Sequence, residues 1–135
     1  MIRMKYILIY VMLTLTISAF SQQMYDRSGS LIGRYDSGRI YNHLGSLEGR
    51  IDSHRFYDRS GSYKGYEHDG MFYDRSGSYI GYSKSGKFYD RSGSYIGYVR
   101  NGSVYDRSGS FVGWVSNVPE LVVAAVYFYG YFPLR

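Results

Sequence analysis

Five copies of Asp-Arg-Ser-Gly-Ser, beginning at Asp26, Asp58, Asp74, Asp90 and Asp106, put a carboxylate, a guanidinium and two hydroxyls close together in the chain. A serine nucleophile needs a general base within hydrogen-bond reach, and no base is paired with these serines repeat by repeat. A Ca²⁺ loop needs a dense run of oxygen ligands, which Asp-x-Ser-Gly does not supply. Turn chemistry explains the motif. Asp at the first position accepts from nearby backbone N–H groups, and Gly at the fourth takes a left-handed conformation. The three histidines, His43, His54 and His68, lack metal-ligand spacing and read as exposed turn residues. No catalytic residue, metal or cofactor is expected.

Tyr66, Tyr82, Tyr98 and Trp114 follow one another every sixteen residues and are the candidate ligand-binding residues. Rings in a row can stack on sugars, or they can pack against one another. Arg34 and Arg50 hold the same place in the first two copies, which weakens the pattern. The arginines Arg27, Arg59, Arg75, Arg91 and Arg107 each neighbour an Asp or a turn, so a neutral, solvated rim is expected rather than a nucleic-acid surface. The function these features favour is an exported, non-enzymatic structural or interaction module. The alternative is a carbohydrate or cell-envelope binding module, with a glycan or an envelope protein as partner.

These residues are positioned by a strict period. Tyr25, Tyr41, Tyr57, Tyr73, Tyr89 and Tyr105 each open a 16-residue copy, without insertion or deletion. A fixed short period marks a repeat architecture. Gly is fifth and ninth in every copy, and an apolar residue closes each full one (Ile40, Phe56, Phe72, Phe88, Val104). Ser37-Gly38, Asp69-Gly70, Ser85-Gly86 and Asn101-Gly102 supply a second, two-residue turn signal. The second copy is degenerate, with His54 where Gly is expected. Two turns per copy leave strands of about four or five residues, so each copy is one short hairpin. Helix is disfavoured by two glycines per period, each costing about 1 kcal/mol relative to Ala.

A hairpin alone is not stable in water, so the copies must pack together. The half-unit Met24-Tyr25-Asp26 and the half-unit Phe111 to Trp114 can pair and close a ring, which removes exposed edges. The expected fold is all-β: tandem hairpins closed around a pseudo-five-fold axis. The ninth-position Gly leaves bare backbone in a strand, and Tyr89 is expected to cover Gly81 as an aromatic rescue pair.

The ends of the chain differ in character. Arg3 and Lys5 precede an apolar run over residues 6–17, and Ala19 and Ser21 are small, as a signal peptidase requires. Residues 1–21 read as a signal peptide cleaved near Ser21, and the protein as periplasmic, outer-surface or secreted. Cleavage leaves 14 basic and 11 acidic residues, a net charge of +3. The chain has no cysteine, which excludes an acylated-cysteine anchor, disulfides and thiolate metal sites. Residues 22–117 form the repeat domain and 118–135 an apolar tail. A free tail this apolar is an aggregation hazard, so it is expected to dock on the domain, as helix or strand. Membrane contact is expected only through this tail.

The YDRSGSYIGY units, the Gly-rich turns and the closing run Ala124 to Tyr129 together resemble the five-fold beta-flower proteins, small secreted proteins whose hairpin repeats form petals round an axis. YD units also occur in large toxin-associated shells, but the constant spacing and small size argue against those. The resemblance covers residues 24–130. It implies no established activity and carries over no catalytic residue.

Overall fold

The computed structural model describes residues 22–134; the segment read as a signal peptide lies outside them. The chain forms β1 (Gln23–Asp26), β2 (Leu31–Asp36), β3 (Arg39–Asn42), β4 (Leu47–Asp52), β5 (Arg55–Asp58) and β6 (Tyr63–His68). It continues with β7 (Met71–Asp74), β8 (Tyr79–Lys84), β9 (Lys87–Asp90), β10 (Tyr95–Arg100), β11 (Ser103–Asp106) and β12 (Phe111–Ser116). All neighbours are antiparallel, and β1 pairs with β12 to close a twelve-stranded barrel. Eleven of the twelve pairs join consecutive strands, five through two-residue turns and six through the four-residue turns that open each copy. The remaining pair, β12 with β1, joins the two ends of the repeat region in the register Met24 opposite Val115 and Tyr25 opposite Trp114.

Two turns alternate between the ends of the barrel. At one end the Asp-Arg-Ser-Gly turn closes with the Gly77 N–H donating to the Asp74 carbonyl at 3.0 Å. Asp74 Oδ1 accepts from the Ser76 N–H (2.9 Å), the Ser76 hydroxyl (2.7 Å) and the Ser78 N–H (3.0 Å). Gly77 sits at φ +87°, the left-handed region that glycine enters without a Cβ clash. Asn42 does the same work in the degenerate second copy, accepting from the Leu44 and Ser46 N–H groups. At the other end the two-residue turns have positive φ at both positions, as at Asn101 (+50°) and Gly102 (+83°). His54 adopts φ +63° in its turn, as its place in the repeat requires. The carbonyl of each such turn also accepts from the next hairpin, as from the Val99 N–H to Gly86 at 2.8 Å, which ties neighbouring units together at the tips.

The closing residue of each copy points into the barrel. Met24, Ile40, Phe56, Phe72, Phe88 and Val104 are fully buried. Each lies opposite a ninth-position glycine, as Phe72 does opposite Gly81. The pairing slips by one residue immediately afterwards, giving a bulge at the opening Tyr of the next copy. Burying a side chain of this size contributes about 1.5–3 kcal/mol.

The tail fills the barrel. It forms a one-turn helix, α1 (Glu120–Val123), that runs into a π-helical turn over Ala124–Phe128 and then continues irregularly. Glu120 sits in the first turn, where the helix dipole favours a negative charge. Val122, Val123, Ala124, Ala125, Tyr131, Phe132 and Leu134 are buried, so the tail is docked, and these residues are not displayed to a membrane.

One side chain of the tail meets each ninth-position glycine, in order. Tyr127 lies over Gly113, Phe128 over Gly97, Tyr129 over Gly81, Tyr131 over Gly65, Phe132 over Gly49 and Leu134 over Gly33. The tail thus circles the axis against the order of the repeats. Gly130, at φ +68°, and Pro133 are its two spacers. An α-helix turns about 100° per residue, too far to reach adjacent units of such a ring, and the wider π-helical turn takes a smaller step. The expectation that Tyr89 covers Gly81 is therefore corrected. The Tyr89 ring stacks on Tyr82 on the outside, and the ring over Gly81 is Tyr129, which also packs on Phe72 with centroids 4.5 Å apart.

Tyr129→Ala should consequently lower the melting temperature far more than Tyr89→Ala, approaching the ~3–5 kcal/mol lost when a fully buried ring is truncated, because the half-buried Tyr129 packs against the core. Equal melting of the two variants, measured by circular dichroism, would remove the tail from the core.

Candidate functional site

Three regions of the barrel can be examined for chemistry: its interior, its ends and its outer wall. The interior is occupied by the chain's own rings. Phe128 stacks on Phe88 (4.2 Å between centroids) and Tyr131 on Phe56 (4.1 Å). Its polar atoms are matched as well. The Tyr129 hydroxyl donates to the Tyr89 carbonyl (2.9 Å) or the Tyr82 carbonyl (2.8 Å), and the Tyr131 hydroxyl to the Tyr73 carbonyl (2.8 Å). The Tyr127 hydroxyl donates to the Tyr25 carbonyl at 2.7 Å. These opening tyrosines stand at the bulges, so the tail satisfies carbonyls where the ladder is interrupted.

The Asp-Arg-Ser-Gly end has its carboxylates committed to their own turns. Hydrogen bonds from the Ser hydroxyl two residues on, then from the Ser N–H four residues on, hold Asp58, Asp74, Asp90 and Asp106 below the usual carboxylate range. Among the described residues Arg59, Arg75, Arg91 and Arg107 make no ion pair at contact distance. At the tip end His54 Nδ1 meets Glu67 Oε1 at 2.9 Å, and His68 Nε2 meets Asp69 at 3.3 Å. No group of three potential metal ligands occurs among the described residues.

The outer wall carries the aromatic residues singled out in the sequence. Tyr66, Tyr82, Tyr98 and Trp114 stack on the opening tyrosine of the neighbouring strand, with centroids 4.6, 4.5, 4.7 and 4.2 Å apart. Their partners are Tyr73, Tyr89, Tyr105 and Tyr25. Arg34 and Arg50 do not break this pattern. Their guanidinium groups lie 4.1 and 4.3 Å from the ring centres of Tyr41 and Tyr57, a cation–π contact in the same place. The tenth-position residues thus each commit one face to packing. Trp114 remains 39% exposed, whereas Tyr66, Tyr82 and Tyr98 are half-buried.

Further exposed rings stand at the seventh position, which the sequence reading passed over. Tyr63, Tyr95 and Phe111 are exposed and meet the opening Tyr edge-on, at centroid distances of 6.0 to 6.1 Å. The signal was present as an aromatic in four consecutive copies (Tyr63, Tyr79, Tyr95, Phe111). Two shallow clefts open beside these rings. One of about 480 Å³ is lined by Arg55, Tyr57, Tyr63 and Tyr66. The other, about 320 Å³, includes Lys87, Tyr95, Tyr98 and Arg100.

A family model described as 5-fold beta-flower protein matches residues 21–132. The chain belongs to the 5-fold beta-flower proteins. No curated protein and no solved structure matches it. The beta-flower barrel here has its inner face sealed by its own tail, and its accessible aromatic surface lies outside.

The stability of this beta-flower protein depends on pH at both extremes, through the plug tyrosines and through the turn aspartates. Burial pushes the Tyr129 and Tyr131 phenols well above their ordinary range. For a phenol raised in this way, the stabilisation is complete below its unfolded value of 10.0 and is lost as pH rises beyond it. The turn aspartates act in the opposite sense. Their contribution is present above the unfolded value of 3.8 and fades as pH falls through their depressed values. Melting temperature should therefore fall above about pH 10. A Tyr129→Phe/Tyr131→Phe variant, less stable at neutral pH through its lost hydrogen bonds, should show a flatter alkaline limb. An unchanged alkaline limb would place the titrating groups elsewhere.

Proposed function

We propose that this beta-flower protein is an exported, non-enzymatic binding module that presents its outer aromatic belt to glycans of the cell envelope. The observation that carries the reading is the display of Tyr63, Tyr95, Phe111 and Trp114 at the surface of a barrel whose core is already full. Flat apolar rings exposed along one belt suit the apolar faces of sugar rings. A repeated array also multiplies weak single contacts, because each further contact on one polymer is intramolecular. A non-enzymatic role accords with the turn serines, whose hydroxyls donate to the adjacent aspartates instead of facing a base. Strands of four or six residues fall short of the 9–11 that a membrane-crossing strand needs. A belt facing water or polysaccharide is therefore the better account than one facing lipid. We count the five hairpins joined by two-residue turns as petals, with the β12–β1 pair as a sixth unit at the seam.

Residues 22–135 should be retained on insoluble peptidoglycan or on an envelope polysaccharide in a saturable way. A Tyr63→Ala/Tyr95→Ala/Phe111→Ala variant should lose retention while keeping the wild-type far-UV spectrum, since the stacked pairs beneath remain. Retention of that variant at wild-type level would refute the aromatic belt as the binding surface. Expression of the full chain should yield a product outside the cytoplasm whose N-terminal residue, read by mass spectrometry, is Gln22. A cytoplasmic product retaining Met1 would contradict export.

A further inference from the structure

Around the barrel the opening residue of each short strand faces the tenth-position residue of the next long strand. The pairs are Gln23–Arg34, Arg39–Arg50, Arg55–Tyr66, Met71–Tyr82, Lys87–Tyr98 and Ser103–Trp114. Six near-equivalent positions therefore differ in the chemistry of their floor. Only Arg55–Tyr66 and Lys87–Tyr98 set a cation beside a tyrosine, and these two pairs line the two clefts described above.

The clefts differ in their electrostatic surroundings. Beside Arg55 and Tyr66 lies a contiguous tip surface that includes Glu67 and Asp69, which offset the arginine. The Lys87 cleft adds Arg100, and no carboxylate among the described residues lines it. Lys84 stands directly across the hairpin from Lys87, adding a third positive charge at the same tip. Glu120 is the nearby carboxylate, approaching Gly86 from the tail. Among the described residues Lys84, Lys87 and Arg100 have no carboxylate at ion-pair distance. Cations left unpaired beside exposed rings favour an anionic ligand with a flat apolar face.

We propose that the cleft lined by Lys87, Tyr95, Tyr98 and Arg100 binds an anionic sugar unit. Its ring lies against Tyr95 and Tyr98, and its carboxylate or sulfate meets Lys87 and Arg100. This rests on the glycan-binding reading and narrows it to acidic polysaccharides. The Arg55 cleft is a second, weaker copy of the same site, and the Met71–Tyr82 position is its uncharged counterpart.

The test compares polygalacturonate, dextran sulfate, neutral dextran and an oligothymidylate in an affinity assay with residues 22–135. Wild type should prefer an acidic polysaccharide over neutral dextran, and the better of the two acidic polymers identifies carboxylate or sulfate as the recognised group. Lys87→Gln/Arg100→Gln should weaken that binding by about tenfold, the loss of one 1.4 kcal/mol increment. Arg75→Gln/Arg91→Gln removes the same charge from the opposite rim and should leave binding unchanged. Equal loss in both double variants would reduce the effect to net charge and overturn the site. Equal binding of acidic and neutral polymers would overturn acidic selectivity while leaving the aromatic belt standing. Absence of binding to every polysaccharide would overturn both readings, and preference for the oligothymidylate would replace the sugar with a single-stranded nucleic acid.

Discussion

Bare backbone at the ninth position of each copy is the constraint on which the rest of this molecule depends. A Cβ on Gly65, Gly81 or Gly113 would lie 2.8 to 3.0 Å from a tail ring, and closer still to the backbone carbonyl of the next strand. Without side chains at these six points the tail rings can lie flat on the wall and reach the bulge carbonyls with their hydroxyls. The glycines would otherwise weaken their strands by leaving nothing to pack. Ring and gap are complementary, so the repeats and the tail stabilise each other. The order of the match also fixes the ring size, since six side chains, separated by Gly130 and Pro133, serve six glycines.

That inner match frees the outer wall from the task of making a core. Small domains usually struggle to bury enough apolar surface, and here a twelve-stranded barrel of short strands gains it by enclosing its own C-terminus. The stacked pairs outside then act locally, each bridging two strands across the joint between copies. Tyrosine on tyrosine, tryptophan on tyrosine and arginine on tyrosine all meet that requirement at 4.1 to 4.7 Å. A position that tolerates a phenol, an indole or a guanidinium without changing the geometry is one where surface chemistry can vary freely.

Much of this was legible in the chain. The two turn types, the short hairpins and the pairing of the opening and closing half-units follow from Asp-x-x-Gly, from the two-residue turn signals and from the need to remove edges. The partner of the ninth glycine was not legible, because a period describes relations among copies and Tyr129 lies outside every copy. Tyr89 was the nearest ring within the period, and it faces outward. The tail was recognisable as apolar and in need of burial, but its helix and π-helical turn depend on the angular step around the axis, which local propensity does not encode. At the candidate site the tenth-position aromatics were found by their spacing. Their stacking on the opening tyrosines, and the exposure of Tyr63, Tyr95 and Phe111 beside them, needed the strand register.

The repeats also separate the residues that build the barrel from those that distinguish one face of it from another. Position one is always Tyr, five and nine are always Gly, and the closing position is always apolar. Each has a structural cause already given: an outer stack, a turn with positive φ, a tail contact and a core side chain. The penultimate position has no such cause, because its residue projects outward at the tip of the barrel. It runs through Gln23, Arg39, Arg55, Met71, Lys87 and Ser103. A position that holds five residue types in six places, on a scaffold that changes hardly at all, does not contribute to a shared fold. Together with the tenth position it makes the six faces chemically different, and a linear polymer lying along the belt would meet a changing pattern of charge. Among the six cross-strand pairs, the two that set a cation opposite a tyrosine, Arg55–Tyr66 and Lys87–Tyr98, lie two repeats apart, so under the proposed glycan binding the belt would read a polymer directionally despite the near-symmetry of the barrel.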